Sequence, residues 1–157
     1  MSTVNINSYL RLNDGHFIPF DDVDSYSGDC QYVPGAIVFA IGSVEVLSLA
    51  LWDDINWLWP YVVQALDECR RNGHGQRFFP DQPLRFRAEA LGSSGQLLVS
   101  VKGGAINNRA VGPAHDIYVE AARAALAFFA DLHRVCPAAG LIDGDIIETA
   151  KSWKSPG

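Results

Sequence analysis

The chain has 157 residues, of which 48% are hydrophobic, and a formal net charge of −6. These values fit one folded domain, residues 1–157, that buries about two thirds of its unfolded surface without a disulfide scaffold or a structural metal. The longest apolar runs are far shorter than the about 20 residues that span a bilayer, and no secretory signal is visible, so we expect a cytoplasmic protein with no membrane contact.

The first third of the chain predicts a strand, a long surface segment and a hairpin. Residues 3–12 alternate apolar and polar side chains, as a half-buried strand does. Residues 13–35 are rich in Gly, Pro, Asp and Ser, which favours a surface segment. The aliphatic runs at residues 36–41 and 44–51 flank Gly42-Ser43, a pair that favours a two-residue hairpin turn.

A helix follows this hairpin. It is predicted to begin after an N-cap at Asp53 or Asp54 and to end at Gly73, with acidic residues preceding basic ones along it. Pro60 fits this helix if it opens the main helical segment and the residues before it form a separate turn, because proline inside a helix removes a backbone hydrogen bond.

The second half predicts another hairpin and two helices. Residues 84–91 and 96–102 form the hairpin, with Arg85 and Arg87 on its wet face as contacts for an anion or a partner. Helices are predicted over about residues 113–135 and 145–153. We therefore expect an α+β fold: an antiparallel sheet of about five strands, built from two hairpins plus the N-terminal strand, with helices packed on one face.

Negative charge is concentrated at the start of the chain. Residues 1–60 hold eight acidic residues and a single base, Arg11, whereas residues 61–157 hold ten acids and eleven bases. Such a field repels nucleic acid, so we expect no direct nucleic-acid binding, and it attracts a cationic protein partner. The alternative is that the acidic loops only increase solubility.

Three tryptophans lie close together in this acidic region, and they favour either a core or a contact surface. If they are helical, Trp52 and Trp59 share a face and Trp57 points elsewhere. We expect about two of the three to be core. The exposed remainder, flanked by acids, suits an anchor for a partner. A sugar-stacking platform is the alternative.

No catalytic, metal or cofactor motif stands out, so we expect no cofactor and no metal. The acidic loops do not keep the ligand spacing of an EF-hand. The three cysteines, Cys30, Cys69 and Cys136, are odd in number and predict buried free thiols in a reducing compartment rather than disulfides. An enzyme acting on a small molecule is the alternative, with His16, Cys30 or His115 meeting at a pocket.

The segment "LWDDINWLWPYVVQALDECRRNG" followed by "FFPDQPLRF", in a small acidic chain, resembles the immunity proteins that bacteria encode beside polymorphic or secreted toxins. Such proteins share no fold, so no functional residue carries over. The resemblance implies a non-catalytic inhibitor that blocks a cytoplasm-acting toxin. A structural or oligomerising module is a further alternative, and the sequence leaves the partner's identity and the oligomeric state open. The contact surface we predict consists of Asp21, Asp22, Asp24, Asp29, Asp53, Asp54 and Trp57.

Overall fold

The computed structural model describes residues 3–138 and 143–153. Its helices and strands confirm the α+β class. In chain order they are β1 (Val4–Arg11), β2 (Phe17–Pro19), β3 (Pro34–Ile41), β4 (Val44–Leu47), β5 (Asp53–Asp54), α1 (Ile55–Asn72), β6 (His74–Phe78), β7 (Arg85–Ala90), β8 (Gln96–Gly103), β9 (Ile106–Pro113), α2 (Ala114–Val135) and α3 (Gly144–Ser152).

The strands form two antiparallel sheets. The first is five-stranded, with the order β2-β1-β3-β4 and β5 paired to β3, and it holds the N-terminal strand and the first predicted hairpin. The second predicted hairpin, β7-β8, lies in a separate four-stranded sheet with the order β6-β7-β8-β9. The two hairpins do not share a sheet because β6 and β9 pair with the outer edges of β7 and β8.

Glycine conformation explains two chain reversals that the sequence predicts. Gly42 has a φ of 60° in the β3-β4 turn, and Gly73 has a φ of 89° just after α1. Both values lie in the left-handed region, where a glycine has no Cβ penalty.

Helix α1 differs from the prediction at Pro60. The helix is continuous from Ile55, with Pro60 inside it, so the prediction of a separate turn before Pro60 is wrong. Because proline has no N–H, Pro60 cannot donate the helical hydrogen bond to the carbonyl of Asn56. At this position near the start of the helix, the other backbone hydrogen bonds of α1 are kept. Asp54 is the N-cap residue, but its side chain makes no capping hydrogen bond.

One hydrophobic core connects both sheets with the helices. Phe39 of the first sheet and Phe86 of the second lie with ring centroids 6.1 Å apart. Trp59 of α1 is fully buried and stacks on Phe128 of α2 at 6.4 Å. Its indole Nε1 donates a hydrogen bond to Ser8 Oγ at 2.8 Å, which satisfies the polar atom inside the core.

Helix α2 also contacts the backbone of β1. The Ile6 amide donates to Glu120 Oε2 at 2.9 Å, and the Arg123 guanidinium donates to the Ile6 carbonyl at 2.6 Å. Glu120 and Arg123 form an ion pair at 2.7 Å, so one pair of side chains satisfies both backbone groups.

The cysteines correct a second prediction. Cys30 and Cys136 form a disulfide between residues 106 positions apart, with their Cα atoms 5.9 Å from each other. The prediction of free thiols is therefore wrong for these two residues, because the fold brings the acidic surface segment to the end of α2. Cys69 is free and buried, and burial raises the pKa of its thiol.

Among the described residues, no helix combines the length and apolar character needed to cross a membrane.

Candidate functional site

Residues 20–33, which we call the acidic segment, run along the surface between β2 and β3. The carboxylates of Asp21, Asp22, Asp24 and Asp29 are all exposed. The first three carboxylates make no hydrogen bond or ion pair with any described residue, and the Asp29 carboxylate accepts one bond, from the Gln31 amide at 2.9 Å. The segment therefore presents carboxylates that the described part of the fold does not neutralise.

Apolar contacts fix the beginning of the acidic segment. Phe20 is buried, and its ring meets the ring of Phe128 edge-on with centroids 5.0 Å apart. Val23 is buried as well, and its carbonyl accepts a hydrogen bond from the Arg134 guanidinium at the end of α2. Asp21, Asp22 and Asp24 thus lie beside buried residues that alternate with them along the chain.

The first turn of α1 fixes the end of the segment. Asn56 Oδ1 accepts from the Val33 amide at 2.9 Å, and Asn56 Nδ2 donates to the Gln31 carbonyl at 3.0 Å. Trp57 Nε1 donates to the same carbonyl at 2.7 Å. With the disulfide at Cys30, these bonds tie the end of the acidic segment to α1 and α2, whereas its beginning, Phe20–Asp22, is a short 3-10 helix.

The arginines near the acidic segment have other partners. Arg134 pairs with Asp131 at 3.2 Å and Arg123 with Glu120 at 2.7 Å. Arg11, the base nearest in sequence, lies over the Trp52 ring at 4.2 Å. The negative charge of the segment is therefore available to a molecule outside the chain.

A cleft of about 420 Å³ lies between the acidic segment, β1 and α2. Asp21 and Asp22 form one wall, and Ala124, Ala127 and Phe128 contribute an apolar floor. Arg123 and Asp131 also line it. A long cationic side chain would find carboxylates for its charged end here and apolar surface for its stem.

Asp53 does not belong to this exposed group. It is only 3% exposed, and its two oxygens accept three backbone N–H bonds, from Asp54 at 2.6 Å, Asp81 at 3.0 Å and Gln82 at 2.9 Å. The carboxylate connects the start of α1 to the loop before β7. Asp53 therefore has a structural role. It was predicted to belong to the contact surface, but its burial excludes it from the surface proposed below.

Asp54 is half-buried and close to the acidic segment. Burial, and then the charges of Asp53 and Asp81, raise the pKa of its carboxyl. Burial, and then the charges of Asp29 and Asp54, raise the pKa of the Tyr26 phenol. Asp54 lies opposite Pro34 in the pairing of β5 with β3, directly after the end of the acidic segment.

The three clustered tryptophans have different environments. Trp59 is buried, Trp52 is half-buried under Arg11, and Trp57 is 36% exposed. Trp57 lines a second cavity, of about 350 Å³, together with Cys30, Asn56 and Leu132. An exposed indole held by a hydrogen bond suits an anchor for a partner.

The structure does not bring the three residues of the enzymatic alternative together. Cys30 is in the disulfide, and His16 Nδ1 contacts Asp14 at 2.9 Å, both side chains being exposed. The bond to Asp14 raises the pKa of His16. His115 is exposed at the start of α2. Within residues 3–138 and 143–153, no hydrogen bond joins these three residues and no group of three His, Cys, Asp or Glu side chains is placed to hold a metal.

Sequence reasoning missed the residues that hold the acidic segment. Asn56 and Arg134 act through contacts with residues more than twenty positions away. No local pattern marks such residues, although an asparagine in the first turn of a helix is a weak signal of a polar contact outside the helix.

Comparison of the chain with protein-family models, curated proteins and solved structures finds no match. The geometry of the acidic segment is therefore the basis for proposing a function.

Proposed function

We propose that this protein is a non-catalytic inhibitor that binds a cationic protein through the acidic segment, in the manner of the bacterial immunity proteins it resembles. One observation carries the proposal: Asp21, Asp22 and Asp24 are exposed and unpaired on a segment that the fold holds firmly. Carboxylates used only for solubility do not need such anchoring.

The anchoring matters because binding costs conformational entropy. A loop that is already ordered loses little freedom when a partner docks, so more of the contact energy appears as affinity. Unpaired negative charge accelerates the encounter with a cationic surface. Asp29 and Asp54 extend the charged surface, and Trp57 supplies an apolar anchor beside it.

The proposed partner is a toxin whose cationic cleft acts on nucleic acid or a nucleotide. A row of aspartates on a fixed segment would occupy the positions that phosphates take in such a cleft and exclude the substrate. The cleft beside Asp21 and Asp22 would receive a lysine or arginine of the toxin.

The cytoplasmic location stays a prediction, and the disulfide between Cys30 and Cys136 counts against it. Disulfides persist mainly in oxidising compartments. The hydrogen bonds from Asn56, Trp57 and Arg134 hold the acidic segment without any covalent bond. Because these hydrogen bonds act beside the disulfide, we expect the reduced protein to keep the acidic segment in place and to bind the toxin as well.

The test uses the product of the gene next to this one, purified as a candidate toxin, and binding measured by calorimetry. Triple reversal of Asp21, Asp22 and Asp24 to lysine should weaken binding at least about tenfold and abolish protection of growing cells, because like charges then face each other. The matched control reverses Glu45, Asp145 and Glu148, which are also exposed.

The two triple variants have the same net charge, so their difference reports the location of the contact. Equal binding by the Asp21, Asp22 and Asp24 variant and the wild type would reject the acidic segment as the interface. Equal weakening in both variants would show that binding depends on net charge alone.

A further inference from the structure

The second sheet has an outer face that differs in charge from the rest of the protein. Alternate residues of a strand point to the same side, and residues paired across strands share a side. Phe86, Ala88, Val99 and Val101 are buried, so they define the inner face. The outer face therefore carries their neighbours along the strands: Gln76, Phe78, Arg85, Arg87, Glu89, Leu98, Ser100, Lys102, Asn107, Arg109 and Val111.

Four cations gather on this outer face. Arg85 lies directly opposite Lys102 in the register of β7 and β8. Arg87 and Arg109 lie on either side of Ser100 in the next row. Strand spacing places the members of a row about 5 to 10 Å apart, and the two rows are about 7 Å apart. The pairing of β7, β8 and β9 thus concentrates positive charge in an acidic protein.

Among the described residues, most of these cations have no partner. Of the four, Arg87 alone is paired there, with Gln76 at 3.1 Å and more distantly with Glu89 at 3.6 Å. In the described part of the chain, Lys102 and Arg109 make no ion pair or hydrogen bond through their side chains. Arg85 Nε is buried without a hydrogen-bond partner among those residues.

Exposed apolar side chains flank the cations at both ends. Phe78 is 68% exposed beside Arg85, and Val111 is 49% exposed beside half-buried Leu98. Arginine surrounded by aromatic and aliphatic groups is typical of the centre of a protein interface.

The outer face is separate from the elements that cover the inner face. Gly75 lies against the backbone of Ala65 in α1, and Asn108 Nδ2 donates to the Val46 carbonyl of the first sheet at 3.2 Å. Across the described ranges of the chain, outer-face side chains make no hydrogen bond, ion pair or ring contact with an element outside this sheet.

We infer that the outer face of the second sheet is a second docking surface, for an acidic protein segment in which carboxylates alternate with apolar side chains. Charge complementarity and the two apolar ends support this occupant. Single-stranded nucleic acid fits less well, because one aromatic ring offers little stacking and Glu89 would face its phosphates. The net charge of −6 also opposes a long polyanion more than a short segment.

The probe for this inference is a fluorescein-labelled peptide of mixed glutamate and leucine, followed by anisotropy at low salt. A peptide with serine in place of leucine and an oligothymidine serve as comparisons. Saturable binding of the glutamate and leucine peptide is expected. Replacing Lys102 and Arg109 by alanine should weaken it about tenfold. Phe78→Ala should weaken this peptide about fivefold and leave the serine peptide unchanged.

The matched control replaces Arg70 and Arg71 by alanine, which removes the same charge from the exposed end of α1. Binding by this control should equal wild type. Absence of saturable binding would overturn the inference, as would equal weakening in the two double variants. Tighter binding of oligothymidine, lost with Lys102 and Arg109, would assign the face to nucleic acid instead. None of these results alters the test of the acidic segment, which lies on other elements.

Discussion

Replacing Asp53 by alanine tests whether this buried carboxylate stabilises the fold, in contrast to its neighbour Asp54, which we assign to the contact surface. The carboxylate is buried and accepts backbone bonds from Asp54, Asp81 and Gln82 at 2.6 to 3.0 Å. The alanine variant leaves these N–H donors without their acceptor, at the point where α1 begins and the loop before β7 arrives.

The expected cost follows from the number and type of these bonds. Each hydrogen bond to a charged group contributes about 1.5–3 kcal/mol, and three independent bonds would sum to more than 4 kcal/mol. Asp54, Asp81 and Gln82 are half-buried or exposed, so water replaces part of the loss. We expect Asp53→Ala to lower the free energy of unfolding by about 3–5 kcal/mol.

Urea unfolding followed by tryptophan fluorescence measures this change. The matched control is Asp24→Ala, the same chemical change at an exposed and unpaired carboxylate, which should cost less than about 0.5 kcal/mol. Asp53→Asn keeps one acceptor oxygen and should fall between the two variants. A loss below about 1 kcal/mol for Asp53→Ala would refute the assignment of this carboxylate as a structural acceptor.

Two further predictions concern the disulfide and Asp54. Replacing both Cys30 and Cys136 by serine should lower the free energy of unfolding by about 2–4 kcal/mol, because the bond closes a long loop in the unfolded chain. A reducing agent should then destabilise only the wild type in urea unfolding, and equal sensitivity of the serine variant would contradict the bond. Asp54→Asn should stabilise the protein at about pH 7, by less than about 1 kcal/mol, because burial and the charges of Asp53 and Asp81 disfavour the ionised carboxyl. Because the pKa of Asp54 is raised in the folded state, the wild-type carboxyl takes up a proton as the pH falls through that pKa. The difference in stability between Asp54→Asn and the wild type should therefore shrink at lower pH. A gain that grows on acidification, in urea titrations at several pH values, would be the contrary result.

Local chemistry predicts the elements whose signals lie within a few residues. Gly42-Ser43 identifies the β3-β4 turn because only a two-residue reversal fits between the flanking runs, and Gly42 has the positive φ that such a turn requires. Strands β6 and β9 escape prediction because most of their residues are polar or small, and they form by pairing with β7 and β8.

The acidic surface could be predicted only in part from the sequence, because it too depends on contacts between residues far apart in the chain. Composition locates the carboxylates, but it does not distinguish Asp53 from Asp54. These neighbours lie in the short strand β5, where successive side chains point to opposite faces, so one is buried and the other half-exposed. The contact of Cys30 with Cys136 depends on the packing of α2, which no spacing rule contains.

The contact of Glu120 and Arg123 with Ile6 has a consequence for behaviour at high concentration. Strand β2 pairs with only the last three residues of β1, Tyr9, Leu10 and Arg11. Unpaired backbone N–H and C=O groups on the rest of this edge could pair with a strand of another molecule, which is how sheets join into aggregates. Because a charged pair from α2 already occupies the Ile6 amide and carbonyl, this edge is closed to an incoming strand. The helix thus protects the chain from edge-to-edge polymerisation without a proline or a bulge in β1.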